Sequence, residues 1–244
     1  MEENDNPDSP LLGIRKEDEE KNIDAEIKKS LREGFIAKVF GIFTYQMVIL
    51  FLVVFLGFAS TTFKQMLLKS TLMYVLTFII FMACLIAPIY NPNLYRKVPI
   101  NYIITTIFSF SYSWWIAEYT VRFTATSVLV ALGLTVALCT LITLYALWTK
   151  KDYTVMGGFL FSSLILLILC SLICIFIRIP ILHVILIYIG LILFGLYLLY
   201  DVQLIVGRGE EKFAEDDYIL ASINIYLDVI GIFIRILALF GSRN

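Results

Sequence analysis

Asp201 and Asp228 are the residues of this chain best able to do chemistry, because each stands in sequence that is otherwise almost pure hydrocarbon. Asp201 closes the apolar run Ile181–Tyr200, and Asp228 lies near the middle of the run Tyr218–Phe240. An ionised carboxylate at the centre of a bilayer costs about 3 kcal/mol on insertion scales, so such residues face a protein interior or water and find partners. Two carboxylates brought together at low dielectric cannot both ionise cheaply; they share a proton and titrate as a pair. Carboxylate oxygens are also the ligands that hard cations such as Ca²⁺ prefer. The same two residues are therefore expected to serve as a proton sensor and a transient Ca²⁺ site. Positions i, i+4, i+7 and i+11 share one face of a helix, which puts Asn224, Asp228, Gly231 and Arg235 in a single polar stripe, with Asn224 and Arg235 supporting the aspartates. The bland alternative pairs Asp228 with Arg235 and Asp201 with a tyrosine, as architecture only.

The elements that must hold this pair are membrane helices. The chain has 244 residues, 60% hydrophobic and 16% charged, with a mean hydropathy of +0.87; a soluble domain carries about 25% charged residues. A bilayer span needs about 20 mostly apolar residues, and seven runs qualify, near 37–59, 71–90, 100–118, 126–148, 155–177, 181–206 and 217–240. They are too long and unalternating for barrel strands, so the fold class is an all-α integral membrane bundle, one domain over 35–244. Residues 1–22 read as a disordered acidic tail, and 23–34 as a juxtamembrane segment. With no signal-peptide core in residues 1–34, the first membrane helix is expected to direct its own insertion. The last run carries Asn224, Asp228 and Arg235, so it is expected to be central or re-entrant. Gly190 and Gly195 are read as points where helix backbones approach closely.

Orientation follows from Lys and Arg near the helix ends. Lys28, Lys29, Arg32, Lys38, Arg96, Lys97, Lys150, Lys151, Arg208 and Lys212 lie on the amino-terminal side, against Lys64, Lys69, Arg122, Arg178 and Arg243 opposite. That bias predicts a cytosolic amino terminus. A net charge of −1 argues against nucleic acid as a partner. Cys84, Cys139, Cys170 and Cys174 sit in apolar runs and read as small hydrophobes rather than a disulfide or metal framework. Glu118 and Arg122 form a candidate interfacial i,i+4 pair, His183 sits at a helix start, and Trp114, Trp115 and Tyr119 read as an aromatic belt. Asp8-Ser9-Pro10-Leu11-Leu12 matches a short acidic dileucine sorting signal. No cofactor, nucleotide or phosphate motif is present.

Five stretches resemble the Bax-inhibitor family (transmembrane Bax inhibitor motif proteins), within it the lifeguard and Golgi anti-apoptotic protein branch. They are REGFIAKVFGIFTYQ from Arg32, PINYIITTIFSFS from Pro99, ALGLTVALCTLITLYALWTKKDYTVMGGFLF from Ala131, LYLLYDVQLIVG from Leu196 and DDYILASINIYLDVIGIFIRIL from Asp216. The resemblance spans Arg32 to Gly241. It implies six helices around a central seventh, a pH-sensitive Ca²⁺ leak in Golgi or endoplasmic reticulum membranes, and suppression of apoptosis by lowering stored Ca²⁺. It also implies that Asp201 and Asp228 form the family's pH-sensing pair. The lipid bilayer, Ca²⁺, H⁺ and membrane proteins of cell death or Ca²⁺ handling are the implied partners. Two features depart from the pattern. Tyr112 stands where branch members often carry a glutamate, and no Lys or Arg lies between Leu72 and Tyr95 to latch the pair.

Two readings from other classes compete. Intramembrane aspartyl proteases also use two membrane aspartates, one in Tyr-Asp. Their second lies in Gly-x-Gly-Asp and is followed by Pro-Ala-Leu, whereas this chain has Tyr226-Leu227-Asp228 and no Pro-Ala-Leu, so it is read as a non-enzyme. A membrane scaffold that inhibits cell death by binding partners, without conduction, is the serious alternative.

Overall fold

A computed structural model describes residues 9–177, 179–207, 209 and 212–243, and its regular elements are all helical. Eight α-helices follow one another: α1 (Ser9–Ala59), α2 (Thr61–Lys69), α3 (Thr71–Tyr90), α4 (Ile100–Thr120), α5 (Ala125–Trp148), α6 (Gly157–Phe176), α7 (Pro180–Val206) and α8 (Tyr218–Phe240). Their ends carry local signals. Ser60 and Ser70 cap α2 and α3 by accepting from the N–H groups of Phe63 and Met73, and Thr124 caps α5 by accepting from Ser127. Pro180 occupies the first turn of α7, where its missing N–H costs nothing. Gly207, at φ 70°, ends α7 in the left-handed conformation that glycine adopts freely.

Six of the helices are long and apolar enough to cross a membrane; the stretch Lys21–Ala59 of α1 is one, with α3, α5, α6 with the turn before it, α7 and α8. The run 100–118, expected as a seventh span, forms α4 but is not among them. Asn101, Thr105, Thr106, Ser109, Ser111 and Ser113 lower its hydropathy. Residues 9–34, expected as tail and juxtamembrane segment, are instead continuous with the first span. Beyond Pro10 no proline interrupts α1, and its Glu, Lys, Arg and Leu residues are good helix formers. Asp8 of the dileucine match, and Arg178 and Arg208 of the charge count, lie outside the described residues.

The helix α8 is one unbroken 23-residue element that does not turn back on itself, against the re-entrant expectation. It is also the most enclosed span, with 56% of its apolar window buried against 6–28% for the others. It packs on α1, α4, α5 and α7; α3 packs on α4 and α6 on α7, one layer further out. The core is centred on Ile219, Ala221, Tyr226, Ile232 and Leu237 of α8. The large apolar side chains left outside this core, such as Phe51, Leu129, Phe161 and Ile192, make a surface suited to acyl chains.

Candidate functional site

The helices α7 and α8 run side by side in opposite directions, and three contacts near their shared end set the register. Arg32 of α1 donates to the carbonyl of Phe213 in the α7–α8 linker at 2.8 Å and to that of Leu204 in the last turn of α7. A Cβ on Gly207 would meet this guanidinium at 3.0 Å. Arg96 forms a two-bond ion pair with Asp217, at 2.8 and 3.0 Å, where α8 begins. Gln203 ties α7 to the α5–α6 loop: its Oε1 accepts from the Tyr153 N–H at 2.8 Å, and its Nε2 donates to the Lys151 carbonyl at 3.0 Å.

This register brings Asp201 and Asp228 together. Both are buried, with 2% and 4% of their surface exposed, and their carboxyl groups lie within hydrogen-bonding reach of each other. Asn224 Nδ2 approaches Asp201 Oδ1 at 3.5 Å, the long limit for such a bond. Among the described residues no fixed N–H or O–H donates to Asp228 Oδ2. Two carboxylates accept only, so contact between them is favourable when one carries a proton and donates it to the other. The electrostatic neighbours of the pair are Tyr197 on α7, Tyr112 on α4 and Cys139 on α5. No Lys or Arg forms an ion pair with either aspartate among the described residues. The ion pairs seen there are Arg96 with Asp217 and Arg122 with Glu118. No third His, Cys, Asp or Glu joins the two carboxyls into a metal-holding group there either. Two carboxyls supply a small part of the six to eight oxygens that Ca²⁺ takes in a storage site, so the arrangement suits passing contact rather than retention.

Arg235, expected to support the aspartates, makes no ion pair with Asp228, the pairing that the bland alternative required. Its guanidinium donates back to the Gly231 carbonyl of its own helix at 2.9 Å and lies 4.2 Å from the centre of the Phe194 ring on α7. Phe194 fills the space beside Gly231, where a Cβ would run into the ring. Gly190, expected to bring helix backbones together, instead makes room for Arg235: a Cβ there would overlap the guanidinium. Gly195 faces Ile142 of α5. The polar stripe of α8 thus splits, with Asn224 and Asp228 meeting Asp201 while Arg235 is held by an aromatic face.

The secondary candidates fall as follows. Glu118 and Arg122 form the expected i,i+4 pair. His183 is exposed in the first turn of α7. Trp114 is not part of a surface belt: it is 1% exposed, packed with Val53, Leu67 and Ala117, while Trp115 stacks on Tyr74 and donates to Thr77. The four cysteines are free and half-buried in helices. Sequence reasoning missed Arg32 and Gln203 as positioning residues. The available signal was their place inside two of the five quoted stretches, where the apolar part of α1 begins and two residues after Asp201. An apolar groove of about 600 Å³ opens between α1 and α5, floored by Ile225, Val229 and Phe233 of α8. The hydroxyls of Thr135 and Thr140 on its wall turn back to the carbonyls of Ala131 and Val136. The rest of its lining is almost wholly apolar, Thr143 and Cys139 apart.

Residues 32–244 match the model of a family described as inhibitor of apoptosis-promoting Bax1. The chain is similar to Protein lifeguard 3 of Homo sapiens, 27% identical over 222 residues that cover 88% of this chain and 71% of that protein. It is 26% identical over 220 residues to Protein lifeguard 3 of Mus musculus, with the same coverage. An uncharacterized protein of Helicobacter pylori is 41% identical over 111 residues, 46% of each chain.

Proposed function

The chain belongs to the Bax inhibitor family, and on that premise we propose that it is a pH-sensitive Ca²⁺ leak channel of intracellular membranes, which lowers stored Ca²⁺ and so suppresses apoptosis. The observation that carries this reading is the buried contact of Asp201 with Asp228 in the absence of any basic counter-ion among the described residues. With one proton between them, the carboxyls hold α7 against α8. Loss of that proton leaves two negative charges that repel by about 4 kcal/mol at roughly 4 Å and an effective dielectric of 20. Such a term shifts a two-state equilibrium about a thousandfold. Arg235 is turned to Phe194 and makes no ion pair with either carboxyl, and on this reading rising pH favours the open state.

Ca²⁺ and the proton compete for the same oxygens, so an entering cation displaces the proton and is itself held only in passing. The contacts of α8 with α1, α4, α5 and α7 support α8 as the element through which a change at the dyad spreads to the bundle. The excess of Lys and Arg on the amino-terminal side supports a cytosolic amino terminus, and the lifeguard resemblance points to Golgi or endoplasmic reticulum membranes. Ca²⁺ efflux from proteoliposomes holding the purified protein, scanned from pH 6 to 8, tests the reading. A leak that rises with pH, and whose pH dependence either Asp201→Asn or Asp228→Asn flattens, is expected. No leak above empty liposomes, from folded protein, would overturn conduction and leave a partner-binding scaffold.

A further inference from the structure

Gln46 is the most anomalous side chain in the bundle. It is fully buried in α1, and neither its Nε2 nor its Oε1 has a hydrogen-bond partner among the described residues. A buried amide with no partner costs about 1–3 kcal/mol, and an unpartnered group of this kind in a native core calls for water or an ion.

The buried face of α4 is polar where a membrane core is usually apolar. One face of α4 carries Asn101, Thr105, Ser109 and Ser113 at four-residue intervals, each at most 1% exposed. The hydroxyls of Thr105 and Ser109 donate to the carbonyl four residues earlier, Asn101 Nδ2 donates to the Tyr218 hydroxyl at 2.8 Å, and Ser113 pairs with the Tyr226 hydroxyl at 3.2 Å. Register places Gln46 at this seam. The Lys38 ammonium lies over the Tyr218 ring, so eight residues further along both parallel helices Gln46 is level with Tyr226. Tyr45 pairs with Thr106, and Val53 packs with Trp114 and Ala117. These two contacts set Gln46 between the levels of Thr106 and Trp114, the stretch of α4 that carries Ser109. Val39, Gln46 and Val53, seven apart, form the innermost face of α1, with exposures of 0, 0 and 6%. Tyr112 is T-stacked on Tyr226 at 5.8 Å and is an electrostatic neighbour of Asp228, which puts the inner end of the seam on the dyad's side of the bundle.

We infer that the α1–α4–α8 seam is a hydrated passage from the amino-terminal side of the membrane to the dyad, with Gln46 as its innermost polar ligand for water and a partly dehydrated divalent cation. Amide and hydroxyl oxygens suit such an ion without trapping it. The inference rests on the leak reading and deepens it: the carboxyls gate, and the seam supplies the route.

The test is Gln46→Leu, which keeps the volume and removes the amide. A side chain serving only the fold, with no partner to lose, leaves melting temperature unchanged or raised and conduction intact. A passage residue leaves melting unchanged or raised while Ca²⁺ efflux falls at least fivefold, and Gln46→Glu restores efflux. Efflux equal to wild type from folded Gln46→Leu overturns the inference while leaving the leak reading standing. Absence of efflux in the wild type overturns the leak reading instead. Cysteine labelling then judges the seam alone, as it does if Gln46→Leu fails to fold. With the four native cysteines replaced, Ser109→Cys is expected to react with a charged thiosulfonate added from the amino-terminal side. Protection as complete as that of Ile232→Cys overturns a hydrated passage.

Discussion

Replacing Gly190 by alanine should destabilise the bundle, although alanine is the better helix former, and the reason lies across the interface on α8. The new methyl group would occupy space that the Arg235 guanidinium fills. Arg235 would have to leave the Phe194 face, a contact worth about 0.5–2 kcal/mol, and its bond to the Gly231 carbonyl, worth about 1.5–3 kcal/mol for a charged donor. Alanine returns about 0.5–1 kcal/mol over glycine inside a helix. The net loss is about 1–4.5 kcal/mol, which at its centre near 3 kcal/mol is roughly 6–12 °C in melting temperature for a chain of this size. In an Arg235→Leu background the obstacle is gone, and the same substitution should be neutral or stabilising by up to about 1 kcal/mol. The assay is a double-mutant cycle read from thermal melting in one detergent. A coupling of about 3–4 kcal/mol is expected; effects that add to within about 0.5 kcal/mol would refute the placement of Arg235 against Gly190.

Arg32→Ala should lower the melting temperature by the equivalent of about 2 kcal/mol through loss of its carbonyl partners at Leu204 and Phe213. Arg32→Lys should recover only part, because an ammonium lacks the planar fork, and full recovery would argue against a two-carbonyl clasp. Gln203→Leu should cost about 1–2 kcal/mol by freeing the Tyr153 N–H and the Lys151 carbonyl, and limited proteolysis should then cut the α5–α6 loop faster than in wild type. The Arg96 guanidinium is held above its usual range, first by its hydrogen bond to Asp217 and then by that residue's charge. A raised cationic group keeps its proton at every pH below its folded value, so Arg96 stays charged from pH 6 to 8. Arg96→Gln should therefore leave the midpoint of any pH-dependent efflux unchanged, and a shifted midpoint would place part of the sensor at this contact.

Six of the seven expected spans were legible because apolar length is a local signal. The short helix α2 and the amino-terminal part of α1 are polar or amphipathic and gave no such signal, and the caps at Ser60, Ser70, Thr124 and Gly207 show only once the backbone is in place. The meeting of Asp201 with Asp228 was legible because both are costly in a membrane and lie on consecutive helices. Arg235 was not, because the sequence offered an attractive partner at Asp228, and the choice of Phe194 depends on two glycines, Gly190 and Gly231, opening space across an interface. Arg32 and Gln203 work by binding carbonyls, which every residue carries, so no residue type in the sequence names their partners. Gln46 was hidden for a similar reason: its isolation appears only when α1, α4 and α8 are set side by side.

The central claim is that one proton holds Asp201 to Asp228 and that its loss opens the leak. The most direct measurement is infrared difference spectroscopy of the protonated carboxyl band in proteoliposomes, taken from pH 6 to 8 alongside Ca²⁺ efflux. The account predicts that a band absent from the Asp201→Asn, Asp228→Asn double variant disappears with rising pH at the midpoint where efflux rises. A band that persists unchanged while efflux rises would contradict it.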